Sequence, residues 1–193
     1  LAPSILGMET SFTRVLIVFA FLRRALGTQQ SPPNQILVGL ALFLTLFIMM
    51  PVWQKIDTEA LTPYLNEEIQ QSVAVERGIA PLRSFMLKQT REDDLIMFLG
   101  AAKIDKPEKS EDMPLHVLIP SFVISELRTA FEIGFLIYIP FVVLDLIVAS
   151  VLMSMGMMML PPVMISLPLK IILFVLVDGW HLITANLLAS FKL

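Results

Sequence analysis

The chain has 193 residues, a formal charge of −3 and no cysteine, which excludes disulfides, thiolate metal sites and cysteine nucleophiles. A charge this small and acidic makes no case for nucleic acid. Hydrophobic residues make up 56% of the chain and mean hydropathy is +0.77, above the usual apolar share of about 45–50% and pointing to a membrane protein or a subunit of a membrane complex.

The chain opens at Leu1, inside an apolar segment and without an initiator Met. A cleaved signal peptide or a preceding portion is therefore expected. Residues 1–26 read as an apolar helix carrying Glu9, Arg14, Arg23 and Arg24. A breaker loop over 27–34, with Pro32-Pro33 as its hard stop, leads into residues 36–53, a stretch of 18 residues without a charge. That is just long enough to span a bilayer core, and Pro51 should bend its far end. Residues 1–56 thus form an N-terminal helical hairpin. Arg23 and Arg24 at its turn mark the cytoplasmic side, since basic residues accumulate there.

Residues 57–114 differ in character, with twelve acidic residues against seven basic. The acidic excess suits an extracytoplasmic insert. A helix is expected over 80–98, with an apolar face interrupted by Gln89 and Asp93. Residues 103–113 are charged, punctuated by proline and expected to be mobile. No catalytic arrangement is visible in this stretch.

Residues 115–193 form a C-terminal hairpin. Apolar character resumes over 115–131, residues 133–152 make the inbound arm and residues 163–188 the outbound arm. Gly156 and Pro161-Pro162 break the helix between the arms. The turn contains Met153, Met155, Met157, Met158 and Met159, five methionines in seven residues. Ordinary cores use Met sparingly, and its unbranched thioether suits it to closing irregular gaps. Copies of this turn meeting around an axis would make a soft plug; packing within one chain is the plainer alternative.

Several charges fit poorly in lipid. Glu126, Arg128, Glu132, Asp145, Lys170 and Asp178 lie in apolar segments, and a mid-bilayer charge costs at least ~2.5–3.5 kcal/mol. They should be paired, or face protein or water. On straight antiparallel arms turning near Leu160, Glu126 and Lys170 would be about 35 Å apart. Pairing them therefore needs a bent chain or a neighbouring subunit, whereas Asp145 and Lys170 fall nearly level. The charges read as locks between subunits, against the alternative of water-exposed side chains. A proton relay through Asp145, Asp178 and His181 is a further, weaker reading.

Six stretches carry a resemblance across the chain: Thr10-Ser-Phe-Thr-Arg14, Pro32-Pro-Asn-Gln35, Pro81-Leu-Arg-Ser-Phe-Met-Leu-Lys-Gln-Thr-Arg91, Ser125-Glu-Leu-Arg-Thr-Ala-Phe-Glu-Ile-Gly-Phe135, Met155-Gly-Met-Met-Met-Leu-Pro-Pro162 and Leu173-Phe-Val-Leu-Val-Asp-Gly-Trp180. In content and order they resemble the FliP family, the P subunit of the flagellar type III protein-export gate. Injectisome relatives share the two C-terminal motifs, while Pro161-Pro162 and residues 81–91 look more flagellar. Glu9 stands where the family usually has an apolar residue, and Leu169 where an aromatic is commoner.

The resemblance implies an all-α subunit of a helical export-gate assembly: two membrane-associated hairpins with a small acidic extracytoplasmic insert. It implies a pentamer in the bacterial inner membrane, at the flagellar basal body, riding largely above the membrane plane. The implied partners are further copies of itself, the Q and R subunits (FliQ and FliR), FlhB, FlhA and unfolded flagellar export substrates. Met155, Met157, Met158 and Met159 would form a pore gasket, and Glu126 and Lys170 would pair between neighbours. No cofactor, metal or catalytic residue is implied. The chain also lacks a Gly-x-x-x-x-Gly-Lys-Ser/Thr phosphate loop and a His-Glu-x-x-His motif. The rivals are an injectisome export-gate subunit, an ion- or proton-coupled transporter, and a purely structural scaffold.

Overall fold

The computed structural model describes residues 7–28, 30–107, 112–157 and 159–192. Among the described residues the regular structure is entirely helical. The helices are α1 (Phe12–Leu26), α2 (Asn34–Ile56), α3 (Thr62–Leu65), α4 (Gln71–Gln89), α5 (Glu92–Ala102), α6 (Leu115–Ser154), α7 (Pro162–Leu176) and α8 (Gly179–Ala189). A π-helical turn, Asp57–Leu61, joins α2 to α3, so the helical rod runs on from residue 34 to residue 65.

Helix α1 is the centre of the fold. Its Val15, Val18, Phe19 and Leu22 are fully buried, although the helix is only 15 residues long. It lies chiefly along α6. Arg14 meets Glu126 and Phe21 meets Phe131 at 5.0 Å between ring centroids, so contacts advance in the same direction and the two helices run parallel. A Cβ placed on Gly134 would stand 2.6 Å from the Phe21 ring. The absence of a side chain there permits the close approach. Helix α8 runs the other way along α1, with Trp180 against Phe19 and Ser190 against Arg14.

Four expectations change. The residue 1–26 helix is interrupted: residues 7–9 are helical, Thr10 and Ser11 are not, and α1 starts at Phe12. The single helix over 80–98 is two helices, separated where Thr90 and Arg91 are extended. Glu92, Asp93 and Asp94 fill the first turn of α5, where the helix dipole favours negative charge, so the acidic triplet is a helix start. Residues 115–131 and 133–152 are one helix of 40 residues, with Pro120 and Pro140 inside it. Prolines in the interior remove single backbone bonds without ending a helix whose sides are supported by packing. The outbound arm is broken at Asp178, whose φ is 50°, and α7 and α8 meet at a 63° bend. Asp tolerates this left-handed conformation.

Two helical stretches, 34–65 and 115–154, are long and apolar enough to cross a membrane, and the bent α7–α8 pair passes the same test as a broken span. At 1.5 Å per residue α6 is about 60 Å long, roughly twice a hydrocarbon core. A large part of it must stand outside the lipid. The insert packs on α6 through α4 and α5, and residues 108–111 of the stretch expected to be mobile lie outside the described residues. Ser125 Oγ donates to Asp94 Oδ2 at 2.6 Å and accepts from the Arg91 backbone N–H at 3.0 Å. On the exposed side, Lys106 Nζ lies 2.6 Å from Glu92 Oε1 and holds that carboxyl below the usual carboxylate range.

Candidate pore loop and buried charge centres

The methionine turn closes α6 through backbone chemistry. Gly156 takes φ 75°, a conformation that carries little penalty only without a side chain. Its N–H donates to Met153 O at 3.1 Å and the Met157 N–H donates to Leu152 O at 2.9 Å. This pair of bonds is the Schellman arrangement, which satisfies carbonyls that a helix end otherwise leaves open. Pro162 then starts α7, its ring preset to helical φ and its missing N–H harmless in the first turn.

The thioethers at this turn find little cover in their own chain. Met155 is 67% exposed, Met157 42% and Met159 98%. Met158 lies outside the described residues. Met153, the fourth described methionine of the turn, is likewise exposed.

Behind the turn, the two arms are tied by charge. Lys170 Nζ lies 2.7 Å from Asp145 Oδ2, and the Ser166 hydroxyl donates to the other carboxylate oxygen of Asp145. Lys170 and Ser166 are buried, while the Asp145 side chain keeps 25% of its surface. Residues 145 and 170 are brought level, as their spacing from the turn requires. Lys170 also faces the end of α1: a Cβ on Gly27 would lie 3.9 Å from its Nζ. A cation is well placed there, since the last carbonyls of a helix carry partial negative charge.

Glu126 lies elsewhere, fully buried, and its partner is Arg14 of α1. Arg14 Nε donates to Glu126 Oε2 at 2.9 Å, and a second guanidinium nitrogen engages Glu126 Oε1. This is the two-point fork that guanidinium and carboxylate geometries favour. Arg14 Nη1 also donates to Ser190 O at 2.9 Å, and its guanidinium carbon stands 3.9 Å from the centre of the Phe191 ring. Buried Gln89 completes the centre, donating to Lys192 O at 2.8 Å. Four separated pieces of chain meet at this one site.

Glu126 and Lys170, expected to pair between neighbours, thus each hold a partner within their own chain. Asp178 and His181 are exposed, and among the described residues no hydrogen bond or ion pair joins either to Asp145. No group of three or more His, Cys, Asp or Glu suited to a metal ion occurs among the described residues. Arg14 is the residue that sequence reasoning passed over. Its signal was visible as the first cation of a largely apolar segment, directly before the run 15–22, but its partner lies 112 positions away.

Comparison with known proteins finds relatives along nearly the whole chain. The flagellar biosynthetic protein FliP of Bacillus subtilis is 58% identical over 190 residues, covering 98% of this chain and 86% of that protein. The protein of the same name from Pectobacterium carotovorum is 55% identical over 189 residues, covering 98% and 73%, and that of Aquifex aeolicus 53% identical over 194, covering 100% and 81%. The FliP family profile matches residues 1–187, and with these relatives it establishes that the chain belongs to the FliP family.

Proposed function

We propose that this chain is a non-enzymatic, pore-forming subunit of the flagellar type III export gate in the bacterial inner membrane. Unfolded flagellar proteins would cross at the methionine turn, one chain at a time. Several copies, together with the Q and R subunits and the FlhB and FlhA components, would complete the channel. Family membership supports the setting, and the relatives' name, flagellar biosynthetic protein, supports the process.

One observation carries the pore reading. Met155, Met157 and Met159 are exposed at the tip of a hairpin whose arms are fixed behind them by Lys170 and Asp145. A rigid stem with a soft, unpartnered tip is what a deformable seal requires. Thioether side chains yield to varied cargo, and an apolar constriction excludes ions by dewetting. The driving energy has to come from other components.

Replacing Met157, Met158 and Met159 by Ala should raise ion conductance of membranes containing the whole gate, while export of flagellar proteins persists. Unchanged conductance, with the gate shown to be assembled, would overturn the gasket assignment. Crosslinking of a stalled export substrate to position 158 separates a pore from a scaffold.

A further inference from the structure

The chain carries no cysteine, so methionine is its only sulfur. Among the described residues the thioethers differ in cover. Met49, Met86 and Met113 sit in the core at 0%, 1% and 4% exposure. Met153, Met155, Met157 and Met159 crowd the tip of the α6–α7 hairpin, none less than 42% exposed. Met8, Met50, Met97 and Met164 are exposed singly, outside the turn. A thioether is oxidised according to its access to the oxidant, and this chain has no thiol to intercept it.

The turn is built so that oxidation changes its surface and not its fold. The bonds that close it, Gly156 N–H to Met153 O and Met157 N–H to Leu152 O, run through the backbone. The arms behind it are tied by Lys170 and Asp145, with no sulfur involved. Beyond its chain neighbours, a Cβ placed on Gly156 would meet no atom within 4 Å, so the tip has room for added oxygen. In the core the same change would break packing. Met49 and Met86 belong to the main hydrophobic cluster, and a close-packed apolar interior has no place for an extra polar atom.

We propose that the methionine turn is a redox modification site, at which hydrogen peroxide converts the thioethers to sulfoxides and unseals the constriction. This rests on the pore reading given above. A sulfur lone pair attacks one peroxide oxygen; the S–O bond forms as the O–O bond breaks. Sulfur is oxidised by two electrons, the peroxide is reduced, and the departing oxygen takes the remaining protons as water. Each sulfoxide places a polar hydrogen-bond acceptor where an apolar group excluded water, so a constriction that seals by dewetting becomes wet. A methionine sulfoxide reductase reverses the step, oxidising two thiols to a disulfide and releasing the oxygen as water.

The test uses the whole gate in proteoliposomes exposed to hydrogen peroxide. Peptide mass mapping should find about tenfold more sulfoxide at Met153, Met155, Met157 and Met159 than at Met49, Met86 and Met113. Ion conductance should rise severalfold, and fall back when methionine sulfoxide reductases and dithiothreitol are added. Replacing Met153, Met155, Met157, Met158 and Met159 by Leu should abolish the response, read as conductance after treatment over conductance before it. Absence of sulfoxide at the turn, a flat conductance despite its formation, or a rise that survives the Leu changes would overturn the proposal. So would a rise that persists after the reductases have removed the sulfoxides, a result that needs no variant. The Ala replacement at 157, 158 and 159 raises conductance without oxidant if the pore reading holds. A rise there with a flat peroxide response removes this proposal alone; no rise in either removes the pore reading with it.

Discussion

Arg14 and Glu126 show why one ion pair matters more here than the others. The Lys106–Glu92 and Arg128–Glu132 pairs are exposed on both sides, where water and salt screen the attraction and leave little net stabilisation. The Arg14 and Glu126 side chains are 2% and 0% exposed, and Arg14 is the group that replaces the solvation the Glu126 carboxylate has lost. Arg14→Met strands a carboxylate in the core, at a cost of about 3–5 kcal/mol. The thermal midpoint of the detergent-solubilised protein should fall by roughly 10 °C. Adding Glu126→Leu to Arg14→Met should restore much of the loss, because two apolar groups need no partner. Lys106→Ala should leave the midpoint unchanged. A double variant no more stable than Arg14→Met alone would show that the pair is not the origin of the cost.

Helix α6 is the element on which the others are registered, and Gly134 sets how closely α1 approaches it. Gly134→Val would push side-chain atoms into the Phe21 ring, where even a Cβ stands at 2.6 Å, and should cost about 1–3 kcal/mol. Shortening the ring in the same chain, Phe21→Leu, should relieve part of that cost in urea titrations; an unrelieved loss would place the strain elsewhere. The features that could be read from the sequence are local ones. The methionine turn announces itself by Gly156 and two prolines, and Asp145 and Lys170 are brought level by counting from it. The break at Thr90 and the bend at Asp178 were also written locally, as an acidic triplet and an Asp-Gly pair, yet apolar content outweighed them. The contact of Arg14 with Glu126 and the docking of Asp94 on Ser125 join residues 112 and 31 positions apart. No spacing rule reaches across such distances without the path of the intervening chain.

At the scale of the whole molecule, the two hairpin turns share one end. A Cβ on Gly27 would lie 4.0 Å from the Val163 side chain, which brings the α1–α2 turn beside the start of α7. Helix α4 and the acidic helix α5 gather at the other end, where Lys88 stands near Lys55 and Arg91 meets Ser125. Charge is distributed accordingly, with Arg23 and Arg24 at the turn end and the acidic insert opposite, and basic residues near span ends favour the cytoplasmic side. The turn end, and with it the methionine loop, should therefore face the cytoplasm. Because the chain has no cysteine, single Ser31→Cys and Glu76→Cys variants report cleanly on the two ends, and both positions are exposed. A membrane-impermeant maleimide should label Glu76→Cys in intact spheroplasts and Ser31→Cys only after lysis. The reverse pattern would invert the assignment, and labelling of both before lysis would mean that no continuous barrier separates the two ends of the molecule.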